Sequence, residues 1–383
     1  MGTVVLHAGM GKAGSSSVQA WLAENANRLR KLQIGVLVAR AEEKGAGIQL
    51  DECRPGRINS DAVVDSYSEA SDKRAVVENV LEQLGAAATR HRLAVLTGGA
   101  MELFFWRGDE DFLSGLDDLA RNHEVRVAYY VRPQHTALEA HWRQWGFRSG
   151  STPSQYLATR SRALHYFDTY ASVRRYAPSV SFEPRPFRRD LLDGGDPATD
   201  FARSFLGLAD TSAVDSIWSN PGLSLEVVNA LSYAPPGLFW SSIHDNGRIP
   251  MIKKVLARSD AVEHEETTRS RALLHDYCYK RFEAGNSGLI DAMGWETDTF
   301  VPPPEDHDDD DEPCLTALDE LWRPKASEAE LKVLYSALDH SISQLVRERA
   351  PNGYATPSRP TARRARLRRL RRRLGSRRRG GNS

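Results

Sequence analysis

Residues 3–22, TVVLHAGMGKAGSSSVQAWL, limit what this chain can fold into more than any other stretch. A largely β-branched run (Thr3, Val4, Val5, Leu6) leads into a turn carrying three glycines, Gly9, Gly11 and Gly14, and one lysine, Lys12. Ser15, Ser16 and Ser17 follow. Val18, Trp21, Leu22, Leu29 and Leu32 then recur at helical spacing, with Glu24, Asn25, Arg28 and Lys31 on the other side. The pattern predicts strand, glycine-rich loop and amphipathic helix, with Ser15 or Ser16 as the N-cap. A second strand follows from Ile34 to Val38. Glycines let backbone N–H groups approach a ligand, and a helix N-terminus offers unpaired donors and a partial positive charge. Lys12 adds a full charge and the serine hydroxyls add donors. Gly9, Gly11, Lys12, Ala13, Gly14, Ser15, Ser16 and Ser17 together have the chemistry of a phosphate cradle. The alternative is a strand-to-helix turn that binds nothing.

The loop departs from the Walker A pattern, which places glycine directly before the lysine and Ser/Thr directly after it. A second segment, Val125–Gly150, VRVAYYVRPQHTALEAHWRQWGFRSG, predicts a buried strand from Val125 to Val131 ending in Arg132. Ligands of open α/β sheets sit outside the carboxyl ends of strands, and guanidinium forks onto phosphate oxygens. Pro133 ends the strand, and Ala137, Leu138, His141, Trp142 and Trp145 fall on a following helix. An ordinary surface arginine is the alternative for Arg132.

On these residues the chain resembles the sulfotransferases that use 3′-phosphoadenosine 5′-phosphosulfate (PAPS). Their first strand enters a GKxGSS-like turn, and their 3′-phosphate site is an arginine followed eight residues on by a helical serine. Weaker likenesses lie in Ser179–Leu208 (strand, RPF turn, short helix), Ser219–Leu231 and Arg269–Leu289, so the resemblance spans most of residues 1–295. Two positions depart from it. The serine is replaced by Ala140, and Leu93–Leu96 ends in Thr97-Gly98-Gly99, where many bacterial members carry Ser-Ser-Glu.

The resemblance implies an α/β fold with a P-loop-like central parallel sheet flanked by helices, spanning about residues 1–300. It implies PAPS as co-substrate, with no metal, and a hydroxyl or amine of a carbohydrate or small molecule as acceptor. Lys12 would meet the bridging oxygen, the loop backbone would hold the 5′-phosphate, and Arg132 with position 140 would hold the 3′-phosphate. His7 and Glu102 are the candidate bases, each with packing or solvation as the alternative; His135 and Glu139 are explained as well by solvated positions. A non-catalytic relative that kept the fold as a binding or scaffolding module, and a P-loop kinase, are the competing functions.

The formal net charge of zero conceals an asymmetry. Arg359–Arg379 holds twelve arginines, so the rest of the chain carries 39 basic against 51 acidic residues. A proline cluster, Pro302–Pro304, and the run Asp306–Glu312 predict a solvated linker at 301–325. Leu331, Leu334, Leu338, Ile342 and Leu345 predict a helical C-terminal extension at 326–350. The basic tail, 351–383, can meet an anionic membrane surface or a polyanion, or remain a disordered solubilising segment. Nucleic acid ranks last, because no aromatics interleave the arginines. Three unclustered cysteines, no secretion signal and no apolar run near the roughly 18 residues that span a bilayer lead us to expect a cytoplasmic protein, able to sit peripherally at a membrane.

Overall fold

The computed structural model describes residues 2–9, 11–41, 48–53, 62–146, 151–209, 265–296, 300 and 315–321. All of them fall within one unit, Met1–Leu331. Expectations for Ser219–Leu231, the acidic run, the helix at 326–350 and the arginine tail lie outside the described residues.

Six strands form the central sheet: β1 (Thr3–Ala8), β2 (Ile34–Ala41), β3 (Ile48–Glu52), β4 (Leu93–Gly98), β5 (Glu124–Val131) and β6 (Ser181–Pro186), in the order β3-β2-β4-β1-β5-β6. Every pairing is parallel except that of β2 with β3 at the edge. β1 and β4 are central and almost wholly buried, which explains their continuous apolar runs. The edge strand is blunted by Gln83, whose amide accepts from Leu50 N–H (2.8 Å) and donates to the Ile48 carbonyl (2.6 Å), standing in for a further strand. The fold is α/β and consistent with a P-loop-like arrangement.

The helices are α1 (Ser15–Lys31), α2 (Ala62–Glu69), α3 (Lys73–Arg90), α4 (Glu102–Trp106), α5 (Glu110–Ala120), α6 (Gln134–Gln144), α7 (Pro153–Arg160), α8 (Tyr166–Tyr176), α9 (Pro197–Ser204), α10 (Glu265–Met293) and α11 (Ala317–Leu321). α1 packs with α9, while α3, α5 and α8 pack together on the other face of the sheet. α11 falls within the stretch expected as linker. Its Asp319 carboxylate accepts from the Ser154 N–H (2.8 Å) and hydroxyl (2.7 Å) at the start of α7. Among the described residues no helix is long and apolar enough to cross a membrane.

A buried ion pair ties α9 to the sheet. Asp200 is fully buried and accepts from Arg185 Nε (2.8 Å) and Nη2 (2.7 Å), the Tyr130 hydroxyl (2.7 Å) and the Asp193 N–H (3.0 Å). Breaking a buried pair by removing one partner typically costs 3–5 kcal/mol. Arg185 is partly solvated, so Asp200→Asn is expected to cost about 3 kcal/mol, the low end of that range. Urea unfolding at unchanged slope measures it; a loss below about 0.5 kcal/mol would mean that the network stabilises little.

Candidate functional site

The chain leaves β1 through α1 toward β2 on one face, and leaves β4 through α4 and α5 toward β5 on the other. Neighbouring strands whose connections part in this way open a crevice at their carboxyl ends, the usual ligand position of an open α/β sheet. Two segments meet there: Gly9 and residues 11–17 after β1, and the end of β4 with the start of α4, from Thr97 to Glu102. The Gly9 N–H donates to the Gly98 carbonyl (3.3 Å), joining them directly.

Glycine is required at three points of the loop by what surrounds it. A Cβ at Gly9 would lie 2.5 Å from the Ser15 Cβ, so the strand end and helix start touch. A Cβ at Gly11 would lie 2.8 Å from the His141 ring, and one at Gly14 would lie 2.7 Å from both Phe187 and Pro197. Gly14 is also left-handed (φ 77) and is itself the cap of α1, accepting from Ser17 N–H (2.9 Å) and Val18 N–H (3.2 Å). This corrects the expectation of Ser15 or Ser16 as N-cap: both lie inside the helix, and no side chain caps it. The turn comes one residue earlier because only glycine enters the left-handed region without a Cβ penalty.

Lys12 adopts that left-handed region as well (φ 70), without being glycine. Such a conformation costs roughly 1–2 kcal/mol in an L-residue and persists where the surroundings impose it. Here Arg132, at the end of β5, donates from Nη1 to the Lys12 carbonyl (2.8 Å) and from Nε to the Thr136 hydroxyl (2.9 Å). Burial lowers the Arg132 pKa, yet a guanidinium remains charged. The sequence reading aimed Arg132 at a ligand; the structure also makes it the clamp on the loop. Its position is held in turn by the Tyr166 hydroxyl, which donates to the Arg132 carbonyl (2.7 Å).

The two candidate bases separate. His7 is fully buried on β1, its Nδ1 2.8 Å from the Thr97 hydroxyl and its ring between Tyr130 and Phe201. Burial pulls its pKa down to about 3, so it is a packed, neutral core histidine. Glu102, the first residue of α4, instead reaches the loop, where its carboxylate accepts from the Gly11 N–H. An acid therefore stands at the crevice although Gly99 lacks one.

Ala140 lies on the second turn of α6 and brings no hydroxyl. Its neighbours differ in direction. Arg143 pairs with Glu139 (3.1 Å), which also binds Arg271 of α10 (3.0 Å). His141 packs over Gly11 and hydrogen-bonds the Gly11 backbone. Burial, then the charges of Arg160, Lys12 and Arg132, bring its pKa to about 3. The sequence marks His141 only by its place on the helix that follows Pro133. Arg160, exposed on α7 with its guanidinium over the Tyr156 ring, had no local signal at all. Among the described residues no group of three His, Cys, Asp or Glu is placed to hold a metal ion. Neither a family model, nor a curated protein, nor a solved structure matches this chain.

Proposed function

We propose that the chain transfers a sulfuryl group from PAPS to a hydroxyl or amine of a carbohydrate or small-molecule acceptor. The observation that carries this is the strained Lys12 on a glycine loop at the switch point of the sheet, gripped by Arg132 and faced by Glu102. The loop and the first turn of α1 suit the 5′ side of a bisphosphate, because the Lys12 charge, the serine hydroxyls of residues 15–17 and a helix N-terminus follow one another there. The 3′ side is matched in charge by Arg132 and lacks the hydroxyl that Ala140 does not supply.

PAPS, when bound, supplies the sulfuryl group and a phosphate leaving group. Lys12 sets a positive charge where the leaving phosphate gains negative charge, and Arg132 anchors the nucleotide end. Glu102 is the acceptor's base, drawing its proton as the acceptor oxygen or nitrogen attacks in line. Positioning and charge carry most of the rate in such a transfer. Ala140→Ser is expected to tighten 3′-phosphoadenosine 5′-phosphate binding about tenfold, roughly 1.4 kcal/mol for one donor to a charged group. Calorimetric titration measures it, and unchanged affinity would remove position 140 from the site.

A second reading, a non-catalytic binding module, is favoured by one observation: the Glu102 carboxylate already takes the Gly11 N–H, as an anion in the loop would. The deciding experiment is thermal stabilisation by 3′-phosphoadenosine 5′-phosphate beside AMP, ADP and ATP, with and without magnesium. A ligand at a hundred times its dissociation constant stabilises by roughly 2.7 kcal/mol. A shift specific to the bisphosphate supports the donor site, and PAPS turnover with an acceptor panel then separates enzyme from module. A shift only with ATP and magnesium would make the chain a kinase.

A further inference from the structure

Resting on the donor site just proposed, one residue of the crevice has a role that the loop and Arg132 do not cover. The Gly11 N–H is given to Glu102, so the His141 ring bonds the remaining backbone group, the Gly11 carbonyl, and donates to it. The ring edge nearest Gly11 is Cε1 and Nε2, which assigns the proton to Nε2. Nδ1 is then a bare acceptor, and it is buried without a partner. An unpaired buried acceptor is costly, and it is kept here in a cluster of cations.

The charged groups around this imidazole come from every neighbouring element. Lys12 is on the loop, Arg132 at the end of β5 and Arg160 on α7, with Glu102 of α4 facing the same point over Gly11. On its own helix, Glu139 is engaged by Arg143 and Arg271. His275 of α10 meets His135, not His141 (ring centroids 4.9 Å). Burial first, and then the charges of Arg160, Lys12 and Arg132, keep the imidazole neutral until negative charge arrives.

We propose that His141 is the proton-linked residue of this site: a bisphosphate entering the loop brings a proton onto His141 Nδ1, and the imidazolium becomes a fourth cation holding it. The proton comes from hydronium or buffer acid in the solvent, whose bond to it breaks as the Nδ1–H bond forms, and no bond of the bisphosphate is made or broken. His141 thereby makes up in charge what Ala140 lacks in hydrogen bonding. An opposite charge within about 4–6 Å raises such a pKa by 1–3 units. Starting from about 3, the upper end of that range, which the several charges of a bisphosphate favour, brings the group to about 6 when the site is filled. Affinity for the bisphosphate therefore falls as pH rises through that region.

The test is calorimetric titration of the full chain with 3′-phosphoadenosine 5′-phosphate at pH 6, in two buffers of different ionisation enthalpy. The wild type is expected to take up roughly half a proton more per ligand than His141→Gln, as a shift to about 6 requires; the difference cancels the protons exchanged by the ligand's own phosphates, whose second pKa is also near 6. His141→Gln keeps a donor for the Gly11 carbonyl and cannot titrate, so it reads the ligand's own proton exchange alone, and the half-proton difference from the wild type is expected to vanish by about pH 7.5. Ring-nitrogen NMR of His141 in the wild type, with and without ligand, reads the same event without a variant. Equal proton exchange by the wild type and His141→Gln, or an unchanged Nδ1 signal, would overturn the proposal while leaving the donor site intact. No binding at all would overturn the donor site and this inference with it.

Discussion

Lys12→Gly is expected to slow sulfuryl transfer by about 10²–10³ while leaving the fold slightly more stable. The side chain supplies the charge that meets the leaving phosphate, and removing one such preorganised group costs about 10²–10³ in rate. The backbone pulls the other way. At φ 70 a lysine bears roughly 1–2 kcal/mol of steric penalty, of which glycine's greater freedom in the unfolded chain returns 0.5–1. The net is a gain of about 0.5–1 kcal/mol, or roughly 1–3 °C in Tm, set against that loss of rate. Lys12→Ala keeps the strain and loses the charge, so its Tm is expected to stay near the parent's. Gln33 provides the control: it too is left-handed (φ 58), at the turn between α1 and β2 remote from the crevice. Gln33→Gly should therefore gain stability with transfer unchanged. Wild-type turnover in Lys12→Gly would deny the lysine its role, and a fall in Tm beyond about 2 °C would mean that the side chain is structural.

The fold was legible wherever one local rule decided the outcome. The apolar run at residues 3–6, the glycines after it and the helical spacing of Val18, Trp21, Leu22 and Leu29 each act within a few residues, and all appear as expected. Arg132 at the end of β5 was legible in the same way, since Pro133 ends its strand, whereas Arg185 and Pro186 of the expected Arg-Pro-Phe turn are the last two residues of β6. The rest depends on long-range contacts that spacing does not encode. Glu102 reaches Gly11 across 91 residues of sequence because β4 lies beside β1. Phe187 and Pro197 close over Gly14 because β6 and α9 return to the loop. His7 illustrates the opposite error of emphasis. Its place beside the loop made it a candidate base, yet strand alternation turns it under α9, against Phe201.

Glu102→Gln is expected to move binding and turnover in opposite directions. The amide oxygen still accepts from the Gly11 N–H, so the loop keeps its shape and only the charge is lost. A carboxylate against the loop repels an incoming phosphate; at 4 Å and an effective dielectric near 20, that repulsion approaches 4 kcal/mol before screening. Tenfold tighter binding of 3′-phosphoadenosine 5′-phosphate, about 1.4 kcal/mol, is therefore a conservative expectation. The same substitution removes the group assigned to take the acceptor's proton. A positioned general base contributes 10²–10⁴ in rate, so kcat is expected to fall by that factor, with the acid limb of its pH profile abolished. A purely structural Glu102 would lower Tm and leave the pH profile unchanged. A scaffold that never turned over would show tighter binding alone, and undiminished turnover in Glu102→Gln would end the case for Glu102 as the base.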